Sequence, residues 1–145
     1  MPTITPFLWF NDQAEEAAKF YCSVFRNSKI LADSPMVTTF ELEGQRIMAL
    51  NGGPEFRFTE AVSFFVDCET QKEVDYYWNE LVKEGKESRC GWLQDKFGLS
   101  WQIIPTLLMK LLSDPDREKS QRVMQAMLKM KKIESALLQQ AYDGA

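Results

Sequence analysis

The chain contains no histidine. That removes the commonest general base near neutral pH and the commonest ligand for a borderline divalent ion. It also excludes a Ser–His or Cys–His nucleophilic pair. Cysteine is scarce: Cys22, Cys68 and Cys90 are the only three, an odd number at wide spacing. They read as reduced thiols rather than a disulfide framework, and the expected location is cytoplasmic. No apolar run approaches the ~18 residues of a membrane helix. The N-terminus has no basic segment followed by an apolar one, so no signal peptide is expected. Positive charge is not in excess: 17 Lys and Arg face 21 Asp and Glu, a net charge of -4. A nucleic-acid partner would favour a basic face, so none is expected.

What remains is an ordinary globular composition, 45% apolar and 26% charged over 145 residues, long enough for one domain with a sizeable core. Within it a pattern occurs twice. Phe7-Leu8-Trp9-Phe10-Asn11-Asp12 opens a segment that closes on Phe20-Tyr21-Cys22. Ser63-Phe64-Phe65-Val66-Asp67-Cys68 opens another that closes on Tyr76-Tyr77-Trp78. Each copy predicts strand, helix, strand, strand, strand, with the third strand of the second copy poorly defined. In the first, Thr3 to Phe10 reads as a strand, Asp12 with Glu15 as a capping box, and 28–33, 37–43 and 45–51 as strands. In the second, 61–67 reads as a strand, Thr70 with Glu73 as a capping box, and 86–93 and 99–104 as strands around a turn at 94–98. A duplicated unit of this kind commonly builds a cleft between its copies. Beyond the repeat, Asp114-Pro115 predicts a helix start. Val123, Met127, Met130 and Leu137 give that tail an apolar face, suited to packing on the domain or on a partner subunit.

The local text resembles a known family. Thr5-Pro6-Phe7-Leu8-Trp9-Phe10, Ala49-Leu50-Asn51-Gly52-Gly53-Pro54, Cys90-Gly91-Trp92-Leu93 and the run from Asp95 to Pro105 look like the PhnB-like branch of the glyoxalase, or vicinal-oxygen-chelate, superfamily. Val123 to Met130 looks like it too. Members of this branch carry the label 3-demethylubiquinone-9 3-methyltransferase. The resemblance implies an α+β fold of paired βαβββ modules, as in glyoxalase, bleomycin-resistance and dioxygenase proteins, with a C-terminal helical extension. As a single glyoxalase-like domain, residues 1–54 would form module 1, residues 61–105 module 2, and residues 106–145 the C-terminal helices. It also implies a homodimer.

Metal-dependent relatives take one ligand from the first and last strand of each module. Carried across, those positions fall on Thr5 (or Pro6), Met48, Ala61 and Gln102. None is a strong ligand for a hard or borderline cation, so the metal site is expected to be lost and no cofactor is expected. No glycine-rich turn follows a strand and opens a helix, which argues against a nucleotide-like cofactor. Strand parity would turn Thr5, Phe7, Trp9, Met48, Leu50, Ser63, Phe65, Ser100, Gln102 and Ile104 toward a cleft. In it Gln102 could hydrogen-bond and Trp9 could stack on a flat ligand. Asn51-Gly52-Gly53-Pro54-Glu55 reads as a turn, not a phosphate loop. Glu41, Glu43, Glu55, Asp67 and Asp95 read as solvated, with no nucleophile–base pair. The expected function is metal-independent binding of a small apolar or aromatic molecule. One alternative is a metal-independent enzyme of the same superfamily, of lyase, transferase or isomerase type, whose catalytic residues are unidentified. Another is an interaction protein with a filled cleft and a partner-binding tail.

Overall fold

A computed structural model describes residues 1–144. The chain divides into two compact units, Met1–Phe58 and Thr59–Ala145. The first contains β1 (Phe7–Phe10), α1 (Ala14–Val24), β2 (Ser28–Asp33), β3 (Val37–Leu42) and β4 (Gln45–Asn51), with sheet order β1-β4-β3-β2. β1 runs parallel to β4, and the other pairs are antiparallel. Alternation decides the faces: Leu8, Phe10, Phe40, Ile47 and Ala49 are buried, while Phe7, Trp9 and Met48 between them are not. α1 covers the buried face with Ala14, Ala17, Ala18, Tyr21 and Val24, the Tyr21 ring lying 6.1 Å from that of Phe40. Small side chains on that stripe let the helix approach the sheet closely.

Two expectations fail here. The first strand starts at Phe7 rather than Thr3, because the ladder reaches back only to the Pro6 carbonyl, which accepts from Met48 N at 3.0 Å. Proline has no N–H with which to extend it. Nor does Asp12 cap α1. The helix starts at Ala14, whose N–H donates to Asn51 Oδ1 at 2.9 Å, a cap supplied from the end of β4.

The second unit repeats the order with β5 (Ser63–Cys68), α2 (Gln71–Val82), β6 (Lys86–Glu87), β7 (Trp92–Gln94) and β8 (Ser100–Pro105), arranged β5-β8-β7-β6. The Thr70–Glu73 capping box is present. Trp78 is buried and donates from Nε1 to Glu87 Oε2 at 3.0 Å. The strand expected over 86–93 is split in two, because Cys90 and Gly91 take left-handed φ values of 59° and 85°. The copies are also out of step by two residues. Helix alignment sets Phe7 on Ser63, but with Met48 set on Gln102 the parallel ladders set Phe7 on Phe65. A two-residue slip preserves the face of every side chain.

After β8 the chain adds α3 (Thr106–Leu112), α4 (Arg117–Leu128) and α5 (Ser135–Asp143). The resemblance placed C-terminal helices from 106, but no start signal in the residues marked α3. The cap of α4 is Asp116, which accepts from Glu118 N and Lys119 N at 3.1 and 3.2 Å. Asp114 instead accepts from Asp116 N and the Tyr142 hydroxyl. Leu108, Leu111, Val123, Met130, Ile133 and Leu138 form a core with Ile104, so these helices dock on their own unit.

Candidate functional site

In the first unit the face away from α1 brings together Phe7, Trp9, Met48 and Leu50, as parity predicted. Phe7 pairs with Met48 and Trp9 with Leu50. Phe7 is 53% exposed. Thr5 lies just before β1 and is half-buried. Trp9, however, is not a vacant stacking platform. Its Nε1 donates to the Gly53 carbonyl at 2.9 Å, and Phe56 meets the ring edge-on at 4.9 Å. A Cβ at Gly52 would run into the same indole, which is why that position is glycine. Asn51 Nδ2 donates to the Pro35 carbonyl at 3.1 Å while its oxygen caps α1. The 51–55 segment is therefore a structural turn that holds Trp9.

In the second unit the face away from α2 collects Ser63, Phe65 and Gln102. Ladder partners share a face. Ser63 lies beside Ser100 and Phe65 beside Gln102, while across β7 Gln94 lies beside Ser100 and Trp92 beside Gln102. Gln102 Nε2 donates to Ser63 Oγ at 2.9 Å, which fixes the amide across the sheet. Ile104 has the same parity but does not line this face, because the C-terminal helices bury it.

Beside these residues is a cavity of about 270 Å³ lined by Glu60, Lys86, Glu87, Ser88, Trp92, Leu93, Gln94 and Ser100. Ser100 is 1% exposed, and its hydroxyl has no hydrogen-bond partner among the described residues. A buried hydroxyl in that state costs about 1–3 kcal/mol, so its presence calls for a reason. The rim is more polar than expected. Gln94 Nε2 bonds to Glu60 Oε1 across it. Glu60 was hidden in a linking segment and Gln94 in a supposed turn; the parity of β7, once its ends are known, is the signal that finds Gln94.

The titratable groups are mostly engaged. Asp95 is 3% exposed, contrary to the solvated reading. Its Oδ1 accepts from Phe97 N and Leu99 N at 2.9 and 3.1 Å, and its Oδ2 from Trp101 Nε1 at 2.9 Å. It staples the β7–β8 turn. Asp67 accepts from Thr106 Oγ1 and Glu43 from Asn27 N. Burial raises the Cys22 thiol above its ordinary range and pushes Cys68 up to about 12. Both are poor nucleophiles in consequence. Among the described residues no three His, Cys, Asp or Glu side chains converge as a metal site would require.

The profile of the 3-demethylubiquinone-9 3-methyltransferase family matches residues 2–104. The chain belongs to this family. It is the PhnB-like branch of the glyoxalase superfamily, as the local text suggested. A PhnB protein from Bacillus cereus, described as a 3-demethylubiquinone-9 3-methyltransferase, is 34% identical at a TM-score of 0.66, over 72% of this chain and 100% of its own. A glyoxalase-related enzyme from Fulvimarina pelagi is 12% identical, TM-score 0.54, over 74% of this chain and 91% of its own. A fosfomycin resistance protein from Listeria monocytogenes, solved with Mn(II) and sulfate, is 14% identical, TM-score 0.54, over 69% and 86%. These last two share the fold. Among curated proteins none matches. The family match ends inside β8, so the three C-terminal helices lie beyond it. No described helix is long and apolar enough to cross a membrane.

Proposed function

We infer that this family member binds a small, flat, largely apolar molecule bearing one oxygen function, on the α2-distal face of its second unit, without a metal. The observation that carries the reading is Ser100. It lines a cavity shared with Trp92 and its buried hydroxyl lacks a partner among the described residues, so an oxygen of a ligand seated against it would supply the missing hydrogen bond. Phe65, 49% exposed, and Gln102 extend the same face with an aromatic surface and a positioned amide. The donor chemistry at the superfamily's metal positions does not fit a divalent cation. Met48 is soft, Thr5 and Gln102 are neutral, Ala61 has no donor, and the Gln102 amide is already tied to Ser63.

Binding is favoured over catalysis because the carboxylates of the cavity are engaged, Glu60 by Gln94 and Glu87 by Trp78. Neither strand-to-helix turn, 11–13 or 69–70, carries the glycines of a nucleotide-binding turn, so the methyl transfer in the family's name has no cofactor site of that kind here. The proposed assembly is a homodimer. Ile4, Phe7, Val62 and Phe65 leave apolar surface on both units, and sedimentation velocity tests it.

Phenol is a suitable probe, with one ring and one hydroxyl. In protein labelled with 5-fluorotryptophan, phenol should shift the Trp92 resonance saturably, and Ser100→Ala should weaken binding about fivefold, the worth of one hydrogen bond. A saturable response that survives Ser100→Ala unchanged, or no response to phenol at all, would sink the reading.

A further inference from the structure

The three C-terminal helices are wired into one wall of the cavity. That wall is the turn between β6 and β7, whose Ser88 and Trp92 face the cavity. Two of its amides leave the sheet. Cys90 N donates to the Met130 carbonyl and Gly91 N to the Lys131 carbonyl, both at 2.8 Å, in the connection between α4 and α5. On its other side the Gly91 carbonyl accepts from Ile103 N of β8 at 2.8 Å. The turn is therefore clamped between β8 and the extension.

The clamp is tight, and the backbone is held in an unfavourable shape. Cys90 sits at φ 59°, a region that costs a non-glycine residue roughly 1–2 kcal/mol. A Cβ at Gly91 would stand 2.6 Å from Ile104 Cδ1 and 3.1 Å from Ile133 Cγ1. The connection is itself pinned from α2. Gln71 Nε2 donates to the Ile133 carbonyl at 2.9 Å, Gln71 Oε1 accepts from Ser135 N at 2.7 Å, and Lys132 pairs with Asp75 at 2.9 Å. The extension also buries Ile104, two residues beyond Gln102 on the same side of β8, and so closes one end of the binding face.

We propose that the C-terminal extension is a positioning element for the ligand pocket: it holds the β6–β7 turn, and through it Trp92 and Ser88, in the shape the ligand meets. This rests on the pocket reading above. Gln71 and Ile133 are its positioning residues, since neither lines the cavity. A strap of this kind tunes fit without touching ligand, and it supplies a reason for a left-handed cysteine that the sheet alone does not need.

The test uses the full chain labelled with 5-fluorotryptophan, the Trp92 signal being the one lost in Trp92→Phe. Gln71→Ala and Ile133→Ala should shift or broaden that signal, leave Trp9 unmoved, and speed amide exchange at Cys90 and Gly91 about tenfold, as a local opening does. Phenol affinity should fall about fivefold with them, a loss read directly from the dissociation constant. Gln71→Glu, which keeps the acceptor for Ser135 N, should recover part of the effect, and Gln140→Ala on the exposed side of α5 should have none. An unmoved Trp92 signal in Gln71→Ala, with phenol affinity intact, overturns the proposal even if Ile133→Ala fails to fold. Should phenol not bind the wild-type chain, the pocket reading fails, and the Trp92 signal alone still decides whether the extension sets that wall.

Discussion

Asp95 shows how much a single buried carboxylate can organise. Three donors converge on it, two of them backbone amides of the turn it begins, and the third the indole of a fully buried Trp101. Asp95→Ala takes this acceptor from all three, and we expect a loss of about 3 kcal/mol in urea denaturation, by the cost of breaking buried hydrogen bonds to a charged group. Asp95→Asn, which keeps one acceptor oxygen, should fall between. A loss under 0.5 kcal/mol, the range of ordinary surface changes, would show that the turn does not depend on this group. Nothing local in Asp95-Lys96-Phe97-Gly98 says that the charge is buried, since the indole it meets lies on the next strand. Parity turns Ser100 toward the proposed binding face, but its missing partner depends on neighbours from β5 and β7, which no single-sequence signal supplies.

At the scale of elements, caps are legible when both partners are close in sequence and illegible otherwise. Thr70 and Glu73 are three residues apart, and their box was read directly. α1 takes its cap from Asn51, on the far side of two strands, so the nearby Asp12–Glu15 pair was a false signal. Asn51→Ala removes that cap and the bond to Pro35 together, and should destabilise by about 1–2 kcal/mol in chemical denaturation. Asn51→Asp keeps the acceptor for Ala14 N and should recover most of the loss; equal losses in the two variants would mean the cap is idle. Strands β2 and β4 were placed to the residue because alternation and a Glu43-Gly44 turn bracket them. β6 and β7 read as one strand because Arg89-Cys90 carries no turn residue, and the amide of the left-handed Cys90 is bonded to Met130, forty residues on.

For the whole molecule, the internal repeat was the decisive signal for the order of elements along the chain, while the order of strands within each sheet came from the structure. The reading of the metal positions also belongs at this scale, because two of them lie in each half of the repeat. With Met48, Gln102, Thr5 and Ala61 there, we expect 1 mM Mn(II) or excess chelator to leave the thermal midpoint unmoved within about 1 °C, since only a ligand that binds the folded state shifts it. A rise of several degrees with Mn(II) would oblige other donors to be found. What the sequence could not show is the service the C-terminal residues give to the second unit, because those contacts link positions forty residues apart, as Cys90 and Met130, or more than sixty, as Gln71 and Ser135.

The parallel pairing of β1 with β4, and of β5 with β8, also constrains the order of events on the ribosome. In each half the strand that emerges first has its partner emerge last, so neither sheet can be completed while its half is still being made. The first half is self-sufficient once Asn51 has left the exit tunnel, well before β5 finds β8. The second must wait longer still, until Ser135 arrives to engage Gln71. A newly made chain therefore spends its most exposed interval with Phe64, Phe65 and Val66 unpaired, and that stretch is where a chaperone would most usefully bind.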